Sequence, residues 1–125
     1  MLLEAIVPTL LNSLVGNRVW ESSTPDGDLP RDANDNILDF IIWTQNGGQD
    51  AEYVGQTMGS HSNARLQVIY FSPSGLTAGT GIKAVRDRLL ASDYTVGVYG
   101  SPVGTYDTAR KLKGRMQQFS IWYPQ

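Results

Sequence analysis

The segment from Arg115 to Tyr123 alternates in residue type along its whole length. Phe119, Ile121 and Tyr123 fall on one side of an extended chain; Met116, Gln118, Ser120 and Trp122 fall on the other. Successive side chains of a strand point to opposite faces, so a period of two predicts a strand. Only Pro124 and Gln125 follow it. A terminal segment is ordinarily loose unless a sheet ties it down. This one carries too much aromatic and aliphatic surface for a tail. It is expected inside a sheet, and the rest of the chain must supply strands to flank it and helices to cover it.

The remaining pattern supplies both. Leu3, Ile6, Val7, Leu10, Leu11 and Leu14 recur at helical spacing over residues 2–15. Pro8 is expected to kink that helix or delay its start, and Gly16-Asn17 to stop it. Arg18–Glu21 predicts a short strand, and 22–36 a long loop rich in Ser, Pro, Asp, Gly and Asn. Ile37–Thr44 predicts a strand with Ile37, Asp39, Ile41 and Trp43 on one face and Leu38, Phe40 and Ile42 on the other. Two apolar faces suit a covered, central strand. Asn46-Gly47-Gly48 signals a turn, Glu52–Gln56 a strand, and Gly59–Asn63 a flexible tip. Ala64–Phe71 is a strand with Leu66, Val68 and Tyr70 on one face. Ser72-Pro73-Ser74-Gly75 breaks it and can cap a helix over Leu76–Ala91. That helix has Ala78, Ile82, Val85 and Leu89 on one stripe, Leu90 beside it, and Lys83, Arg86 and Asp87 facing away. Tyr94–Tyr99 is a strand, and 100–114 a turn-rich connection with room for a strand at Tyr106–Lys111. The expected architecture is a single α+β domain over residues 1–125: a mostly antiparallel sheet with two helices packed on it.

A chain of 125 residues that is 41% hydrophobic and 18% charged has enough mass for one real core. No segment is long and apolar enough to span a bilayer as a helix. Met1-Leu2-Leu3-Glu4 lacks the basic region of a secretory signal. The absence of cysteine excludes disulfides, thiol nucleophiles and thiolate metal sites. The net charge of −2 hides an asymmetry. Residues 1–64 hold nine acids against two bases, and residues 65–125 hold eight bases against three acids. Such a split can mark a nucleic-acid surface. It can also mark head-to-tail self-association, in which one subunit's acidic side meets the next one's basic side. Chance scatter over a folded surface is the plain alternative, because halves of a sequence need not be halves in space.

The candidate chemistry is thin. Asp32-Ala33-Asn34-Asp35-Asn36 opens like a calcium loop, but Ile37 stands where that loop needs glycine and Trp43 where it needs a bidentate acid. An Asx-rich surface turn is the reading left. Gly79-Thr80-Gly81 with Ala84 matches G-x-G-x-x-A, yet a nucleotide site needs those glycines directly after a strand. Here they fall within the first turns of the helix, where small residues let it lie close on the sheet. His61 is the one histidine, between Ser60 and Ser62. With no cysteine beside it, it cannot build an ordinary zinc site, and a flexible tip does not hold an imidazole for catalysis. Arg110, Lys111, Lys113 and Arg115 form the densest basic run, near Tyr106, Phe119, Trp122 and Tyr123. Basic residues interleaved with aromatics can bind single strands, but a pI of about 5.2 argues against a dedicated nucleic-acid binder. A solvated or subunit-facing basic edge fits better. No catalytic set or cofactor site emerges, and the profile is that of a structural or interaction protein.

The order of these elements resembles the tail terminator, or tail completion, proteins of long-tailed bacteriophages, of the minor-tail-protein U-like class. The matching parts are the N-terminal helix with Leu10-Leu11, then Arg18-Val19-Trp20. Ala64–Phe71 follows, running into a helix with Val85-Arg86-Asp87-Arg88-Leu89, and last Phe119-Ser120-Ile121-Trp122-Tyr123. Leu29-Pro30 resembles a step leading into a strand, although Asp32–Asn36 here separates it from that strand. The resemblance implies a non-enzymatic virion protein without cofactor or membrane contact, made in the host cytoplasm and placed at the tail–neck junction. It implies a homo-oligomeric ring, usually a hexamer, on the last ring of tail tube protein. That ring stops tube growth, meets the head–tail connector and lets DNA pass its lumen. Loops 45–62 and 100–114 are expected to reach partners, and Tyr53, His61, Arg86, Arg110, Lys111, Lys113 and Trp122 are the candidate interface residues. Another neck or baseplate component, or a small α+β ligand-binding or enzyme domain with a deep polar pocket, are the competing expectations.

Overall fold

The computed structural model of the protein describes residues 3–47, 61–107 and 111–124. Helix α1 (Leu3–Leu11) buries Leu3, Ile6, Val7 and Leu11, the stripe expected from their spacing. It runs through Pro8, which leaves the Glu4 carbonyl without its amide donor. A 3₁₀ turn over Asn12–Leu14 follows, and then a reversal through Gly16 and Asn17, whose φ angles are 56° and 69°. Glycine is needed there, because a Cβ on Gly16 would stand 2.9 Å from Arg18 Nη1 in a backbone region that L-residues avoid.

Among the described residues, five strands form one sheet: β1 (Val19–Glu21), β2 (Phe40–Gln45), β3 (His61–Ser72), β4 (Thr95–Asp107) and β5 (Leu112–Pro124), in the order β1-β2-β3-β5-β4. All neighbours are antiparallel except β1 and β2, a parallel pair at one edge. The fold class is therefore α+β as expected. The alternating segment lies in β5, paired with β3 on one side and β4 on the other. Helix α2 (Gly75–Leu90) begins at Ser74, whose Oγ accepts the Thr77 amide at 3.4 Å. It lays Ala78, Ile82, Val85 and Leu89 on the sheet.

The core sits between the helices and one sheet face. It joins the α1 and α2 stripes to Ile41, Trp43, Leu66, Val68, Tyr70, Phe119 and Ile121, with Tyr123 packed against it. Burying Phe119 and Ile121 contributes about 2 kcal/mol each, which is why the last strand cannot be a tail. Arg88 Nη1 fastens the two helices by donating to Ser13 Oγ at 2.6 Å and to the Leu10 carbonyl at 3.3 Å. On the opposite face, Phe40, Ile42 and Leu112 form a second cluster, roofed by Leu29 and Ile37 of the long loop. There Phe71 stacks on Phe40 with ring centroids 5.0 Å apart.

Three expectations are corrected. Ile37 does not share a face with Ile41 and Trp43, because it lies before the strand, bridged to Arg31 and packed on the other side. The period of two does not carry through Leu38 and Asp39, where the Leu38 amide bonds to the Pro30 carbonyl. His61, Ser62 and Asn63 are not a tip: they begin β3, opposite Pro124, Tyr123 and Trp122 of β5. Nor are residues 100–107 a loop, because β4 runs to Asp107 and breaks register between Tyr99 and Val103. Of the 45–62 loop, the stretch 48–60, with Tyr53 and the strand expected at Glu52–Gln56, lies outside the described residues, as does Arg110.

Candidate functional site

The β4–β5 hairpin carries the densest basic surface, and a bulge shapes it. Three residues, Gly100–Pro102, stand opposite Gln117, and Gly100 turns the chain with φ 68°. The buried Gln117 amide donates from Nε2 to the carbonyls of Tyr99 (2.6 Å) and Gly100 (3.0 Å) and so pins the bulge. Beyond it, Gly104 pairs with Arg115 and Tyr106 with Lys113. The Arg115 guanidinium lies across Gly104, where a Cβ would stand 3.6 Å from Nη1. The Lys113 stem lies against Gly75, the first residue of α2, where a Cβ would stand 3.2 Å from Cδ. Between them is an open depression of about 430 Å³, lined by Gly75, Gly104, Thr105, Tyr106, Lys113, Gly114 and Arg115. No acid lines it. The N-terminal end of α2 adds positive potential, and Leu76 and Tyr106 stand exposed beside it.

The same hairpin continues onto the face of the sheet turned away from α1 and α2. Arg65 stacks over the Tyr99 ring at 4.5 Å from the centroid. Hydrogen bonding from Arg65, and next from Ser120, holds the Tyr99 phenol below the usual tyrosine range. Asn63 Nδ2 donates to Ser120 Oγ at 2.7 Å and to the Ile121 carbonyl at 3.3 Å. Trp122 and Met116 are half-buried here and Val103 is exposed. An apolar cleft of about 270 Å³ lies between residues 22–24 and Phe40, Ile42, Ile69, Phe71 and Leu112. Its lining holds no titratable side chain.

The acidic stretch is a hairpin closed by local hydrogen bonds. Asp32 Oδ1 accepts the amides of Asn34 (2.8 Å) and Asn36 (2.9 Å), the Asx turn expected for these residues. These backbone bonds, Asn36 foremost, lower the Asp32 pKa below its ordinary value. The Asp32 amide donates to the Asn36 carbonyl at 2.9 Å, and Arg31 pairs with Asp35 at 3.6 Å. Asp28, Asp32 and Asp35 all face solvent.

The candidate residues do not converge. Lys111, in the turn with φ 56°, and Lys113 sit at the hairpin end of the sheet. Trp122, and His61 at the start of β3, belong to the other end, and along β5 Lys113 and Trp122 are separated by about 30 Å. They also lie on opposite faces. Arg86 is exposed on α2. Arg115 belongs to the basic run read from the sequence but not to its candidate interface residues, and the Arg65–Tyr99 pair was not singled out. The signal for Arg115 was Gly104, since a glycine within a strand marks a close approach by another group. Nothing in the sequence announced which partner Tyr99 would find.

The fold is similar to that of a chain in a solved structure described as "Virion of native gene transfer agent (GTA) particle". The TM-score is 0.58 and the identity 16%, over 98% of this chain and 95% of that one. At that identity the likeness is one of fold. No protein-family profile and no curated protein matches the sequence.

Proposed function

We propose that this chain is a structural, non-enzymatic component of a phage-like virion. Within that class it is the subunit of a ring, six copies by the resemblance above, that caps the tail tube, ends its growth and joins it to the head connector. The observation that carries the reading is the likeness of fold to a virion chain along nearly the whole of both molecules. The surface supports it: long polar and basic side chains stand on rigid strands, as a docking surface requires. Lys111, Lys113 and Trp122, with Arg110, Tyr53, His61 and Arg86, remain the residues proposed to meet neighbouring subunits, tube or connector. DNA passes through the lumen without sequence readout.

Deleting the gene from the genome that encodes it tests this. The expected products are filled heads without tails and tubes of uncontrolled length, rejoined by adding back the protein. Tails of normal length attached to heads in its absence would refute the reading.

A further inference from the structure

Resting on the ring reading, we propose that its subunit contact seats the acidic hairpin of one copy, Asp28 to Asn36, in the basic depression at the β4–β5 edge of the next. The two surfaces lie on different faces of the sheet: Leu29 and Ile37 seat the hairpin on the face away from the helices, whereas Lys113 against Gly75 places the depression on the helix side, at the β4–β5 edge. They occupy the same end of the sheet, where β2 begins and β4 finishes. A contact between two different patches, one from each copy, is heterologous, the kind that closes into a ring.

Charge selects the occupant. The depression offers Lys113, Arg115 and the N-terminal end of α2, with no acid among the described residues that line it. The hairpin offers Asp28, Asp32 and Asp35, with Arg31 as its one base, already paired to Asp35. Among the described residues, no ion pair joins the two surfaces within one chain, so each is left for another copy. Shape agrees with charge. The Asx turn holds the hairpin in one conformation before contact, which lowers the entropy cost of docking. The depression is open, and exposed Tyr106 gives its lining apolar area. Alongside lies the outer edge of β4, which has no strand partner among the described residues.

The test is a charge swap in the full chain, read by sedimentation velocity and negative-stain microscopy at low salt. Variant one carries Lys113→Glu and Arg115→Glu; variant two carries Asp28→Lys and Asp32→Lys. Circular dichroism verifies that each is folded, and an unfolded variant is replaced by the milder Arg115→Gln or Asp28→Asn. Each variant alone should associate at least about tenfold more weakly than wild type, because like charges now meet. An equimolar mixture should assemble again, because every contact then pairs opposite charges in an alternating ring. Wild-type-like assembly of either variant alone, or a mixture that stays monomeric, overturns this contact and leaves the ring reading standing. A wild-type chain that stays monomeric at its highest concentration overturns both.

Discussion

Replacing Gly81 with alanine should destabilise the protein, although alanine is the better helix former. Gly81 lies on the buried side of α2, directly over Tyr70 of β3. A Cβ there would stand 2.4 Å from two carbons of the Tyr70 ring and 2.5 Å from a third. Ordinary carbon contacts are about 3.5–4.0 Å, so ring or helix must move by more than about 1 Å. The ring has little freedom to yield. Tyr70 is 6% exposed, and its hydroxyl donates to Asp39 Oδ2 at 2.8 Å. Asp39 is itself held through its carbonyl, which accepts from Arg18 Nε at 2.7 Å. Lifting α2 instead would unseat Ala78, Ile82 and Val85. Overpacking of this kind costs roughly 1–3 kcal/mol or more, against a helix-propensity gain of about 1 kcal/mol. Gly79, two residues earlier, has nothing within 4 Å of its Cβ position, so Gly79→Ala keeps the gain alone. Urea unfolding followed by circular dichroism should show Gly81→Ala less stable than wild type and Gly79→Ala more stable by up to about 1 kcal/mol. If Gly81→Ala stabilises as Gly79→Ala does, the close packing of helix on sheet is wrong.

Three further perturbations follow from the same geometry. Burial, with the Asp39 hydrogen bond second, raises the Tyr70 pKa well above its usual value. The folded state therefore keeps a proton that the unfolded chain loses above about pH 10, so stability present below that pH should fall as pH rises further. Tyr70→Phe should remove its part of that alkaline loss, which urea midpoints across the range would reveal. Gln117→Leu should cost about 1–2 kcal/mol by removing both bonds to the bulge carbonyls, and amide exchange should quicken first over residues 99–104. Reversing the charges of Arg110, Lys111 and Lys113 should impair ring assembly or tail joining while leaving the circular dichroism spectrum and melting curve unchanged.

The sequence made legible what periodicity controls. The β5 alternation, the α2 stripe and the Ser74 cap are local patterns, and tertiary packing agrees with each of them. Where local chemistry and tertiary context disagree, the sequence misled. Gly100, Pro102 and Gly104 look like strand breakers, yet β4 is an edge strand whose bulge absorbs the glycine turn and the proline. Ser62 and Asn63 look like loop residues, but β5 pairs with them and Ser120 takes the Asn63 amide. The candidate site was less legible because it is assembled from distant segments. Arg115 belongs with Gly104 and Lys113 with Gly75 only once the hairpin and α2 meet. The charge split was visible as a number. The fold turns it into an acidic hairpin ahead of β2 and a basic depression at the β4–β5 edge.

The central claim is a position in a particle, and it can be measured directly. Gold-labelled antibody against this chain, applied to purified particles and imaged by electron microscopy, should mark one site per particle, at the junction of head and tail. Labelling along the tube, at the distal tip, or nowhere on particles that contain full-length tails would contradict it.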